Sequence, residues 1–114
     1  MCEAVTAVQL NRIAALNDSL RRSFLGGQVL LTPGIYDLPE ADQSAVLEKV
    51  MTFDAFDSED DPYGEHDFGC VEHAGKRYFF KIDYYDKGME YRSADPANPE
   101  VTVRVLTIMT ALEY

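Results

Sequence analysis

Residues 66–85 constrain the fold of this 114-residue chain more than any other stretch. Two apolar-rich runs, FGCVEH and KRYFFKIDYY, flank Ala74-Gly75, the pattern of a β-hairpin closed by a two-residue turn. Loop length fixes register, so paired positions sum to 149 if the turn is those two residues. His66 then faces Asp83, Phe68 faces Lys81, Cys70 faces Phe79 and Glu72 faces Arg77. The other face carries Val71–Tyr78, Gly69–Phe80, Asp67–Ile82 and Glu65–Tyr84. Val71, Tyr78, Phe80, Ile82 and Tyr84 mark that second face as the core side. Met89–Arg92 is expected as a short third strand after the Lys87-Gly88 turn.

The flanking segments read mainly as helices. Leu10, Ile13, Leu16 or Asn17, Leu20 and Phe24 form one buried stripe over residues 6–24. Thr6 with Gln9 resembles a capping box, and Arg21 and Arg22 suit the negative end of the helix dipole. Gly26-Gly27 ends this helix. QVLLT, residues 28–32, reads as a strand closed by a Pro33-Gly34 turn. Asp37-Leu38-Pro39-Glu40 starts a second helix, with Val46, Leu47, Val50, Phe53 and Phe56 on its buried face. Asn98-Pro99-Glu100 is a further helix-start pattern. Over residues 101–112 the β-branched content favours a strand. The stripe Val101, Val105, Ile108, Leu112 favours a helix, and helix is the choice made. The expected fold is a single α+β domain over 1–114, with residues 1–5 frayed. Its order is αβαβββα, with helices packed on a small antiparallel sheet.

Thirteen aromatic residues and 46% hydrophobic content are enough for a core at this length. The N-terminus lacks a basic-then-apolar pattern, and no apolar run approaches membrane-spanning length. Cys2 and Cys70 are far apart and outside any CxxC spacing, so two free thiols in a reducing cytoplasm are expected.

The net charge is −10. Residues 1–38 balance to zero, 39–69 carry −9 and 70–114 carry −1. The centre of the excess is FDSEDDPYGEHDFG, residues 56–69, with six carboxylates in 14 positions. Direct nucleic-acid binding is disfavoured, because phosphates would meet a negative surface. A basic protein partner or a cation fits better.

LTPGIYDLP, FDAFDSEDDPYGEHDFG, KIDYYD and DPANPEVTVRVLTIM together resemble a family of short acidic bacterial proteins. That family is a domain of unknown function, found in bacterial chromosomes and on plasmids. The resemblance covers roughly residues 15–114 and implies that Asp61 to Gly69 and Lys81 to Asp86 are signature positions. It implies no established activity.

Four roles for the acidic stretch follow from its chemistry. Asp57, Asp61, Glu65, His66, Asp67 and Asp83 are candidate ligands of a divalent cation. An EF-hand is excluded, since Pro62 stands where a loop starting at Asp57 needs glycine. A His66–Asp83 pair would orient an imidazole for acid–base work. Its nucleophile is missing, because Cys70 lies about 13 Å along the strand from His66. A protein-binding surface would use Asp57, Glu59, Asp60, Asp61, Tyr63 and Glu65. The fourth role is an architectural corner, with Asp60 or Asp61 capping a Pro62-Tyr63-Gly64 turn. The preferred reading is a cytoplasmic acidic interaction protein with no required cofactor, of which a nucleic-acid mimic that inhibits host defence is a special case. The alternative is a metal-dependent or His/Asp-based hydrolase, with its site at residues 57–67 and 81–86.

Overall fold

A computed structural model describes residues 7–114. Residues 1–5, Cys2 and the Thr6 half of the expected capping box lie outside the described residues. The chain runs α1 (Ala7–Ser23), β1 (Gln28–Leu31), α2 (Pro33–Tyr36), α3 (Glu40–Met51), β2 (Phe68–His73), β3 (Lys76–Tyr85) and β4 (Val103–Thr110). A 3-10 turn, Ala111–Glu113, follows. The four strands form one sheet in the order β1-β4-β3-β2. It is antiparallel except where β1 runs parallel to β4.

The hairpin has the expected register, with Phe68 opposite Lys81, Cys70 opposite Phe79 and Val71 opposite Tyr78. Val71, Tyr78, Phe80, Ile82 and Tyr84 are buried on the core side. They meet Ile13 and Leu20 of α1, Ile35 of α2, Val46 and Val50 of α3, and Leu106 and Ile108 of β4. Gly69 is required in β2, because a Cβ there would collide with the Phe80 ring. The opposite face of the hairpin carries an aromatic group in which Tyr114 packs 5.4 Å from Phe68 and 5.1 Å from Phe79.

Several expectations need correction. Residues 101–112 are not a helix, since 103–110 form β4. This strand lies between β1 and β3, and Val105 and Met109 are buried along with Leu106 and Ile108. A strand covered on both faces needs no polar alternation, so its run of apolar residues imitates a helix stripe. Asn98-Pro99-Glu100 closes a turn instead of opening a helix: Asn98 accepts from Glu100 N–H at 3.0 Å and from Val101 N–H at 3.2 Å. Residues 89–92 are not a strand. Met89 adopts a left-handed φ of 58°, and one bridge, Tyr85 to Arg92, is all the pairing that segment makes. Pro33-Gly34 opens the one-turn α2, whose proline occupies the first turn. The order αβαβββα therefore becomes αβααβββ before the 3-10 turn.

Glu113 fastens the end of the described chain to α2. Its carboxylate accepts from Thr32 Oγ1 at 2.6 Å, Gly34 N–H at 3.0 Å, Thr110 N–H at 3.0 Å and Thr110 Oγ1 at 2.8 Å. Hydrogen bonding, led by the Thr32 hydroxyl, lowers its pKa to about 2.

Candidate functional site

The acidic stretch leaves α3 through two aromatic anchors. The Phe53 ring sits 4.8 Å from Phe56 and 5.3 Å from Phe80, which ties the stretch to the core. Asp57 Oδ1 then accepts from Glu59 N–H at 3.0 Å and Asp60 N–H at 2.9 Å. This is the turn chemistry that short acids provide, here in a turn over residues 57–60 that precedes the expected one; at Pro62-Tyr63-Gly64, of Asp60 and Asp61, it is Asp61 that accepts from backbone N–H groups. Gly64 takes a positive φ of 69°, and Gly64 N–H donates to Asp61 O at 3.2 Å. The Asp61 carboxylate is buried and accepts from His66 N–H at 3.2 Å.

His66 does not face Asp83, contrary to the hairpin arithmetic. The β2–β3 ladder begins at Phe68, with one further bond from Ile82 N–H to Asp67 O at 2.8 Å. His66 has a left-handed φ of 59°, which turns the chain out of the ladder and toward α1. Its Nδ1 lies 3.0 Å from Asp18 Oδ1, and its ring stacks on Phe56 at 4.1 Å with 1° between planes. Asp83 instead pairs with Lys81 at 2.9 Å.

Two buried polar clusters escaped sequence reasoning. In one, Arg21 donates to Asp18 at 2.8 Å and to the carbonyls of Val50 and Met51 at 3.0 and 3.2 Å. Its guanidinium also lies 5.3 Å from the centre of the Phe56 ring. Arg21 therefore serves the end of α3 more than the dipole of its own helix. In the other, Asn17 donates to Tyr84 Oη at 2.8 Å and Glu65 O at 3.0 Å, and accepts from Arg104 Nε at 2.8 Å. Arg104 also donates to Pro96 O and lies over the Tyr84 ring. Asn17 fills a slot in an otherwise apolar stripe, and that was the available signal for a buried network. Burial pushes the Tyr84 phenol up and the Arg104 guanidinium down from their ordinary pKa values.

Of the candidate metal ligands, Asp61 and His66 adjoin each other. Asp61, Glu65, Asp67 and Asp83 line a common cavity of about 510 Å³, whereas Asp57 is turned into its own loop. Among the described residues, no three His, Cys, Asp or Glu side chains are arranged to hold a metal ion. Tyr63 and Tyr114 stand at the same cavity, each 71% exposed. Lys81 and Arg92 also reach it. A smaller recess of about 270 Å³ shares Asp67, Asp83 and Arg92 with it and adds Glu90 and Tyr91. Burial, then the neighbouring charge of Asp67, raises the Glu65 pKa. Burial followed by Asp61 and Asp83 raises that of Asp67, even though its own backbone N–H opposes the shift.

Residues 31–113 match the family described as a protein of unknown function, DUF3768. The chain belongs to this family. No curated protein and no solved structure matches it. The DUF3768 match takes in the acidic stretch, the hairpin and β4, and leaves out α1. Asp18, Asn17 and Arg21, which hold the acidic stretch and β4 from the α1 side, therefore lie outside the matched residues.

The raised carboxylates make a stability prediction with an unusual sign. A carboxyl whose folded pKa lies above its unfolded value destabilises the fold when ionised, and that penalty fades as pH falls toward the unfolded value. Asp67→Asn is therefore expected to raise Tm at pH 7. The gain should shrink through the acid range and vanish near and below the ordinary aspartate value of 3.8. Thermal unfolding of both proteins from pH 7 to 3.5 checks this, and a gain that grows on acidification contradicts it.

Proposed function

We propose that this domain is a small acidic, cytoplasmic interaction protein that engages a basic segment of a protein partner. The supporting observation is the cavity where Asp61, Glu65, Asp67 and Asp83 meet the exposed rings of Tyr63 and Tyr114. Glu65 and Asp67 are held at raised pKa values in the free protein. Burial is the main cause and the neighbouring carboxylates add to it, so an arriving cation would stabilise the ionised forms of both. Aromatic faces beside carboxylates suit arginine, which stacks and hydrogen-bonds at once. A special case of this reading is a nucleic-acid mimic encoded by a mobile element that blocks a host-defence protein. The −9 charge of residues 39–69 supports it.

The hydrolase reading gains one observation, the Asp18–His66 contact, which would orient the imidazole. Among the described residues, the His66 ring meets Asp18, Asp61 and Phe56, and no serine, threonine or cysteine stands among these partners for the imidazole to activate.

The test uses a fluorescent peptide of alternating arginine and glycine. Binding is expected at low salt, weakening steeply as salt rises past about 0.15 M, where charges are screened beyond roughly 8 Å. Glu65→Lys with Asp67→Lys should cost at least about tenfold in affinity, or ~1.4 kcal/mol. Glu40→Lys with Glu48→Lys makes the same charge change on α3 and should cost far less. Equal losses from the two pairs would reduce the effect to net charge and remove the site.

A further inference from the structure

The two edges of the sheet are built differently. At the β2 edge, Lys49 Nζ donates to Glu72 O at 2.7 Å, so a cation from α3 caps a carbonyl of the outermost strand. The acidic stretch, residues 56–69, leads into the same strand. Charge of this kind is how natural sheets keep their edges from pairing with other chains. The β1 edge carries none. Residues 23–36 hold no charged side chain, the longest such run in a chain of net charge −10. Leu25, Leu30 and Tyr36, which come before, within and after β1, are each more than half exposed.

The backbone of β1 has an open side. Thr32 N–H donates to Ile108 O at 3.2 Å, and Leu30 stands opposite Thr107. Residues that bond a given neighbour alternate along a strand, so Gln28, Leu30 and Thr32 face β4. Val29 and Leu31 therefore turn their N–H and C=O groups away from β4. β1 is the end strand of the sheet, and among the described residues no strand lies on that side. The side chains of Val29 and Leu31 pack against the core, so that of Leu30 lies on the opposite face of the sheet. β1 is also its own complement. Read in reverse about Leu30, each outward-facing residue meets an outward-facing one.

We propose that two copies of this chain join edge to edge through β1, antiparallel, about a two-fold axis at Leu30. Val29 of each copy then lies opposite Leu31 of the other, each pair exchanging both of its N–H···O bonds, and the two Leu30 side chains meet on the outer face. Charge favours a second copy as the occupant. In the order β1-β4-β3-β2, the acidic stretch leads into the strand farthest from the joint. Three strand spacings in each copy and one across the joint part the two β2 strands, roughly 34 Å, or about four Debye lengths at 0.15 M salt. Two acidic chains can meet here, where neither presents charge, while their acidic corners stay screened from each other.

Analytical sedimentation of the full 114-residue chain from about 5 µM to about 1 mM is the test, with amide hydrogen exchange at both ends of that range. A reversible monomer–dimer equilibrium is expected, with no larger species, because pairing uses up the open edge. The Val29 and Leu31 amides should exchange at least about tenfold more slowly at the high concentration. The Leu30 amide, already bonded to β4, should change least. Salt should strengthen the association by screening two acidic chains from each other. Leu30→Lys sets two ammonium groups side by side and should weaken it by at least about tenfold. The monomer's Tm should stay nearly the same, since Leu30 is half exposed. Glu72→Gln makes the same change in net charge at the other edge and should leave the association as it is. Association without slower exchange at Val29 and Leu31, or equal effects of the two variants, overturns the proposal. A chain that stays monomeric throughout the range also overturns it, and leaves the edge to a strand of a different protein.

Discussion

Replacing Phe80 with alanine is expected to cost about 4 kcal/mol, within the 3–5 kcal/mol typical of a buried Phe→Ala change. Phe80 has no exposed surface and sits in the second strand of the hairpin, against β2 on one side and β4 on the other. Its ring meets Phe53 edge-on at 5.3 Å and Phe56 at 6.2 Å, and the Arg21 guanidinium lies 5.8 Å from its centre. The ring also fills the space left by the missing side chain of Gly69. Truncation thus opens a void bordered by a strand, two loop aromatics and a buried cation, none of which can easily close it. Domains of this size hold roughly 5–15 kcal/mol in all, so the variant should approach the limit of folding. Its Tm should fall by on the order of 15 °C. Urea unfolding followed by circular dichroism measures the loss, and a value under about 1.5 kcal/mol would contradict the packing described.

Asn17→Ala is expected to cost about 3 kcal/mol, for a different reason. Its side chain serves three partners at once: it donates to Tyr84 Oη and Glu65 O, and accepts from Arg104 Nε. Arg104 is 3% exposed and has no carboxylate within ion-pair distance among the described residues. Losing the amide leaves a buried cation and a buried phenol short of partners, and leaving buried groups unpaired costs more than the bonds themselves contribute. A double-mutant cycle with Tyr84→Phe should return a coupling of about 1 kcal/mol, since the two residues share a bond. Additive losses would mean that the network does not act as a unit.

The legible and illegible parts of this chain differ in physical kind. The hairpin register was legible because a two-residue turn leaves one way to align the strands, and alternation in β3 then gives the core face. β4 was illegible because a strand covered on both sides loses alternation, and Pro99 next to an acid imitates a helix start. The same arithmetic that aligned the hairpin misplaced His66. One left-handed residue breaks the count, and histidine rarely announces that conformation. The acidic corner was visible as charge, but its anchorage was not. Asp18 lies 48 positions before His66, and nothing local links them. Asn17 could have been read differently, since a polar side chain in an apolar stripe implies partners to be found.

β4 lies in the middle of the sheet yet comes last among the strands in sequence. Gln28 pairs with Val105, 77 positions later. During synthesis, therefore, β1 waits without a neighbour while the helices and the hairpin are already made. Everything up to residue 102 can form local structure, but no sheet can join its two halves. The loop spanning that gap must close before the contacts that reward it exist, which slows assembly and makes it all-or-none. Until then the apolar side of β3, with Phe80, Ile82 and Tyr84, lacks its β4 neighbour and part of its cover, a liability that passes only when the last strand slots into place.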